Sequence, residues 1–172
     1  TLLGQIIDRA EAYINQQTRR IFDASEDSTR YFHAVHDVYD NGLLLLLDED
    51  LLTITTLTNG DATVITSDKY VLLPTNESPK YGIRLKLSAG IAWEYTDDPE
   101  EAISIEGLWG FSQTPPNDII HASVRLSSYI YRQKNNAGEF DRTILAGNST
   151  LLPTQIPRDI EELLRPYTKI LH

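Results

Sequence analysis

The sequence predicts an α+β protein in which a helical scaffold of three main helices carries an inserted antiparallel β-rich module. Apolar residues recur at helical spacing near the start, alternate with a period of two from about residue 30 to 111, and then return to helical spacing. We therefore predict a helical core formed by residues 1–22 and 112–172, whose last part is a C-terminal docking segment. Residues 23–111 form the inserted β-rich module.

The first predicted helix runs from Leu2 to about Ile21. Its apolar residues are spaced three and four apart, as expected for one buried helix face: Leu2, Leu3, Ile6, Ile7, Ala10, Tyr13, Ile14 and Ile21. A polar linker over 22–29 separates this helix from the module.

The module reads as six to eight short strands joined by turns. Residues 31–36 predict a strand, 39–42 a hairpin turn, and Leu43–Leu47 the returning strand. Asp48-Glu49-Asp50 predicts a charged turn that closes this hairpin. The further predicted strands cover 52–58, 62–65, 70–73, 83–87, 93–95 and 102–111. In the strand over 83–87, Ile83, Leu85 and Leu87 share one face.

The chain returns to helix at Pro115 and Pro116, residues that suit a first helical turn. This second helix is predicted over 115–134 and ends at Asn135–Gly138. Its apolar stripe contains Ile119, Ala122, Leu126, Tyr129 and Ile130, with Val124 and Tyr131 beside it. Residues 139–155 lack periodicity and predict a long loop that is functional or is ordered by a partner.

The last helical segment covers 156–170 and is broken or kinked at Pro166. Its apolar face consists of Ile160, Leu163, Leu164 and Tyr167. Burying four such side chains contributes about 6–12 kcal/mol, whereas ordering about ten residues costs about 10–20 kcal/mol. The segment must therefore dock onto this chain or onto a neighbour.

The formal charge is −10, and its distribution argues against a protein that grips nucleic acid through phosphates. Residues 1–114 carry 8 basic and 19 acidic side chains, whereas residues 115–172 carry 7 and 6. The acidic part is either a solvated surface or a surface that DNA passes without being retained. The chain has no cysteine, and no apolar run approaches the roughly 18 residues of a membrane span.

No pattern in the sequence predicts catalysis, a cofactor or a metal. His33 and His36 lie near Asp37, but on a strand their rings would point to opposite faces, which argues against a shared metal. A small hydrolase or metal enzyme using these three residues remains one alternative. The other is a ligand- or carbohydrate-binding module with exposed rings at Trp93, Tyr95 and Trp109, although Trp109 is more typical of a packing anchor.

The order of motifs resembles the head–tail connector (adaptor) proteins of tailed bacteriophages. The motifs are Thr18-Arg19-Arg20-x-Phe22, then Ile103-x-Ile105-x-Gly107-x-Trp109-Gly110-Phe111, then Pro115-Pro116-x-Asp118-Ile119, then Ala122 before a long helix, and finally Pro157-x-Asp159-Ile160-x-x-Leu163-Leu164-x-Pro166-Tyr167. Together they span most of the chain, and the β-rich stretch stands as an insertion between the first and second helices.

This resemblance implies a virion structural protein without enzymatic activity. Identical subunits would form a ring, commonly dodecameric, beneath the portal protein, and would extend the channel through which DNA passes without specific binding. The C-terminal segment would dock the portal and a neck or tail-completion protein through Ile160, Leu163, Leu164, Tyr167, Arg158 and Arg165. The location would be the virion, with assembly in the host cytoplasm. Loss of residues 156–172 would then weaken portal binding and leave the β module folded.

Overall fold

The structure is a computed structural model that describes residues 1–143 and 156–169. The described residues form three α-helices and a six-stranded antiparallel sheet, which confirms the α+β class. The chain divides into two compact units. We call Thr1–Arg20 with Pro115–His172 the helical unit, and Ile21–Thr114 the β unit.

The helical unit contains α1 (Leu2–Thr18), α2 (Asn117–Thr143) and α3 (Arg158–Leu164). Helix α1 ends earlier than predicted because Arg19 has a left-handed backbone conformation, with φ of 55°. Helix α3 gives way at Arg165–Tyr167 to a 3-10 turn that contains Pro166, so the predicted break is confirmed.

Helix α2 continues past Asn135–Gly138, where the sequence predicts its end. Asn and Gly each cost up to about 1 kcal/mol in a helix interior, and this penalty does not stop a helix of 27 residues. The predicted loop is therefore wrong for residues 139–143. The rest of that prediction, residues 144–155, lies outside the described residues.

The β unit contains one sheet in the order β1-β6-β3-β5-β4, with β2 paired to β3 beside this path. Every pairing is antiparallel. The strands are β1 (Asp27–Phe32), β2 (Val38–Tyr39), β3 (Leu44–Thr58), β4 (Tyr70–Leu73), β5 (Lys80–Leu85) and β6 (Ile103–Trp109).

Strand β3 is continuous over 15 residues, so the predicted turn at Asp48–Asp50 is wrong. The acidic triplet lies where the register of β3 shifts, between Leu46 and Leu51. β3 pairs with β5 at Leu44–Leu46 and again at Leu51, and it pairs with β6 from Leu51 to Thr58. Such an irregularity changes the direction of nearby side chains. Asp50 is buried here, and Glu49 Oε2 accepts a hydrogen bond from Arg30 Nη2 at 2.6 Å.

The apolar core of the β unit is built from β1, β3, β5, β6 and the segments between them. Its buried members include Phe32, Leu45, Leu51, Leu57, Ile83, Leu85, Ile103, Ile105 and Trp109. The prediction that Leu87 shares a strand face with Ile83 and Leu85 is wrong, because β5 ends at Leu85 and Leu87 is 81% exposed in a 3-10 turn. The strands predicted at 62–65 and 93–95 are reduced to single bridges, Thr58–Val64 and Gly60–Tyr95.

The first and last segments of the β unit are hydrogen-bonded to each other. Phe111 N donates to Ile21 O at 2.6 Å, and Ala24 N donates to Ser112 O at 3.1 Å. The rings of Phe22 and Phe111 lie 5.4 Å apart. The chain therefore enters and leaves the β unit at one place.

Candidate interaction surface

Helix α2 has apolar side chains on two opposite faces. Ile119, Ala122 and Leu126 are buried in the helical unit, as the predicted stripe requires. Ile120, Val124 and Tyr131 form a second stripe and are 45%, 60% and 46% exposed. At 100° per residue the two stripes point about 150° apart. We call Ile120, Val124 and Tyr131 the α2 patch.

Helix α1 also carries apolar residues that the other described residues leave exposed. Its buried face consists of Ile6, Ala10, Ile14 and Thr18. Leu2, Leu3 and Ile7 remain 45%, 61% and 38% exposed, and we call them the α1 patch. Leu3 lies on the same helical line as the buried residues, so the apolar stripe of α1 continues one turn beyond its cover.

The six residues predicted to dock a partner fall into two groups. Ile160 and Leu164 are 1% and 4% exposed and belong to the core of the helical unit. Leu163 and Tyr167 are half-buried, and Arg158 and Arg165 are exposed. The docking inferred from the energetics of this segment thus occurs on the chain itself for Ile160 and Leu164, whereas Arg158 and Arg165 remain exposed.

Polar contacts fix α3 and the following turn within the helical unit. Arg125 of α2 forms an ion pair with Asp159. Arg20 Nε donates to Tyr167 O at 2.7 Å, and Lys169 N donates to Thr18 O at 2.8 Å. The Tyr167 hydroxyl donates to Asp118 at 3.3 Å, and burial together with the Asp118 charge raises the pKa of Tyr167.

An open pocket of about 380 Å³ lies between α1 and the α3 segment. Burial and the nearby Glu161 carboxylate raise the pKa of Tyr13 at its wall. Two guanidinium groups and two carboxylates line the pocket, so its charge does not select a ligand of either sign. The lining residues are Tyr13, Gln17, Arg158, Glu161, Glu162, Leu164, Arg165 and Thr168.

The two histidines of the β unit are close together, contrary to the prediction of opposite faces. Strand β1 ends at Phe32, so His33 and His36 lie in a turn, and their rings are 4.7 Å apart. His33 Nδ1 accepts hydrogen bonds from Val35 N at 3.0 Å and His36 N at 3.1 Å. These two hydrogen bonds stabilise the turn. Among residues 1–143 and 156–169, no group of three or more potential ligand side chains could hold a metal ion.

The ring platform that a carbohydrate-binding module would need is not formed by the tryptophans. Trp93 and Trp109 are only 8% and 4% exposed. Their Nε1 groups donate to Leu43 O at 3.3 Å and to Ser28 O at 2.9 Å. Of the three rings proposed for this alternative, only Tyr95 is exposed.

The two units differ strongly in charge. The β unit has 17 acidic and 5 basic residues, a formal charge of −12, whereas the helical unit has 8 and 10, a formal charge of +2. The acidity noted in the first two-thirds of the sequence is therefore confined to the β unit. No helix in the described part of the chain is long and apolar enough to cross a membrane.

Part of this surface could be read from the sequence. Val124 and Tyr131 stand out beside the core stripe, whereas Ile120 does not. The signal for Ile120 is its spacing of four residues from Val124 and eleven from Tyr131, which places all three on one helix face.

No protein-family model matches this chain, and no curated protein matches it. Among solved structures, the chain is similar to one in the "Neck of empty GTA particle computed with C6 symmetry", where GTA denotes a gene transfer agent. The TM-score is 0.63 at 17% identity, covering 99% of this chain and 78% of that one. It is also similar to a chain in the "Neck of native GTA particle computed with C12 symmetry", with a TM-score of 0.58 at 15% identity, covering 100% and 84%. At these identities the similarity establishes a shared fold.

Proposed function

We propose that this chain is a non-enzymatic structural subunit of the neck of a phage-like particle, the head–tail adaptor. The observation that carries this proposal is the fold shared, over 99% of the chain, with a chain of a GTA particle neck. The motifs that resemble adaptor proteins are a second, independent support. Both support a location in the virion, and assembly would take place in the host cytoplasm.

The adaptor would act as a ring of identical subunits beneath the portal. The neck structures with similar chains were computed with C6 and C12 symmetry. In a cyclic assembly each subunit contacts two neighbours through different surfaces. The exposed apolar α1 and α2 patches give the helical unit surfaces suited to such contacts.

Portal and neck or tail-completion proteins would bind at the exposed side of the α3 segment. Arg158 and Arg165 are solvent-exposed there, with Leu163 and Tyr167 half-buried beside them. Guanidinium groups around a partly apolar surface are common in protein interfaces. Ile160 and Leu164 would support this surface from the core.

The ring would also extend the channel through which DNA passes during genome packaging and release. The β unit, at a formal charge of −12, offers few cations to phosphates. Tight binding needs several such contacts, because each releases counterions. DNA would therefore move past this unit without specific binding.

Imaging of the purified full-length chain tests the proposal. We expect negative-stain electron microscopy and mass measurement to show closed rings of six or twelve subunits, the symmetries of the similar necks. Samples would be compared over a range of concentrations, alone and with the cognate portal protein. A chain that stays monomeric in all of these samples contradicts the proposal.

A further inference from the structure

One ring nitrogen of His33 accepts two backbone hydrogen bonds just after the end of β1. Nδ1 accepts from Val35 N at 3.0 Å and from His36 N at 3.1 Å. A neutral histidine ring has one N–H group and one acceptor nitrogen, so the proton of this ring lies on Nε2. A charged ring has N–H groups at both nitrogens, and a proton on Nδ1 would point at two N–H donors. Both hydrogen bonds therefore require a neutral His33.

Asparagine and aspartate side chains commonly make the same contacts. Their oxygens accept hydrogen bonds from the backbone N–H groups two and three residues further along the chain. Asparagine makes such contacts at any pH, because its side chain does not titrate. Histidine ordinarily changes its charge between about pH 5 and pH 8, so a turn that depends on a histidine acceptor depends on pH as well.

Charged and titratable groups from two segments face the His33 ring. Glu100, from the segment before β6, places Oε1 at 3.6 Å from Nε2. In the turn itself, the His36 ring lies 4.7 Å away, and Asp37 Oδ2 accepts from His33 N at 2.7 Å. The carboxylates attract a charged His33 ring, and a charged His36 repels it. Glu100 faces the nitrogen that already carries a proton in the neutral ring, so its attraction does not restore the acceptor at Nδ1.

We propose that the turn over residues 33–37 is a pH-sensitive element of the β unit, closed while His33 is neutral and opened when Nδ1 takes up a proton. The same turn donates from Ala34 N to Pro99 O at 2.8 Å, and it presents Val35, which is 55% exposed. Opening would change this surface and its link to the segment before β6. The inference goes beyond the proposed neck function and does not rest on it.

Hydrogen–deuterium exchange of the full-length chain tests this proposal. Mass spectrometry with residue-resolved fragmentation measures the Val35 and His36 amides, and exchange of the His33 ring C–H reports the pH at which that ring becomes charged. Protection is expressed relative to an unstructured peptide at the same pH. We expect the protection of both amides to fall about tenfold as His33 becomes charged, because each amide loses its acceptor. Protection that is constant through the His33 titration overturns the proposal.

Substitutions separate the His33 ring from other effects of acid. His33→Asn places an oxygen near the position of Nδ1 and removes the titration, so both amides should stay protected at acid pH. His33→Gln carries its oxygen near the position of Nε2, so both amides should lack protection above and below the titration. His36→Asn retains the acceptor ring of His33 and should keep the pH dependence of the unaltered chain.

Two further results would contradict the proposal. If the amides of the His33→Asn variant lose protection in acid as the unaltered chain does, another titrating group opens the turn. If His36→Asn removes the pH dependence, His36 rather than His33 is the sensor. The amides of β3 and β6 are the internal control and should stay protected at both pH values, since their simultaneous loss would mean that acid unfolds the whole β unit and that the turn is no separate switch.

Discussion

At the residue scale, the glycines of the motif around Trp109 are required by close backbone contacts. A Cβ atom added at Gly107 would lie 2.2 Å from Thr53 O on β3. One added at Gly110 would lie 2.8 Å from the Ala24 Cβ, and the φ of Gly110 is +146°. Only glycine fits both positions. Close backbone packing thus explains the two glycines of this motif, which resembles that of adaptor proteins.

We expect Gly107→Ala to destabilise the β unit by about 1–3 kcal/mol, because the added methyl group forces β6 away from β3. Urea unfolding followed by tryptophan fluorescence measures this, since Trp93 and Trp109 both lie in the β unit. Gly90→Asn is the control: Gly90 is left-handed with nothing within 4 Å, and Asn tolerates this conformation. An unchanged midpoint for Gly107→Ala would refute the steric argument.

At the element scale, α3 and the turn residue that follows it combine a structural face and an exposed face. Ile160 and Leu164 are buried, and Asp159 is paired with Arg125 of α2. Arg158 and Arg165 are exposed. Deleting residues 156–172 would remove both faces together, so that truncation could not separate loss of folding from loss of binding.

Substitutions that address each face separately should have different effects. Ile160→Ala should destabilise the helical unit by about 2–5 kcal/mol, because it leaves a cavity in the core. The combined Arg158→Glu and Arg165→Glu change should alter stability by less than about 0.5 kcal/mol and weaken portal binding about tenfold. Circular dichroism and calorimetric titration measure the two effects. Portal binding at full strength in the double variant would contradict the docking role.

At the scale of the whole molecule, the β unit has the features of an insertion that folds by itself. Its core is composed of residues of the β unit alone. Its first and last segments are joined through Ile21, Ala24, Phe111 and Ser112. Because its ends meet, the unit can be inserted between two helices without separating them.

We therefore predict that residues 21–114 fold when expressed alone. The isolated unit should unfold cooperatively, with a tryptophan transition that Gly107→Ala shifts as it does in the full chain. The same measurement on the full chain with Ile160→Ala should leave this transition in place. A non-cooperative transition in the isolated unit would show that its stability depends on the helices.

The sequence by itself determined the class of each long element, because helical and strand periods are properties of neighbouring residues. Helix α1, the buried stripe of α2 and strands β4 and β6 follow from that period. Turn residues were less reliable: Asn135–Gly138 did not end α2, and three acidic residues did not interrupt β3.

The tertiary structure alone decided pairing and exposure. β1 pairs with β6, far along the chain, and this choice depends on cross-strand packing between distant residues. Equally apolar residues differ in burial for the same reason: Ile160 is buried, whereas Leu3 and Ile120 are exposed among the residues that the structure describes. The candidate interaction surface is made of such residues. A helical period reveals which residues share a face, but only the arrangement of all the helices shows which face is left exposed.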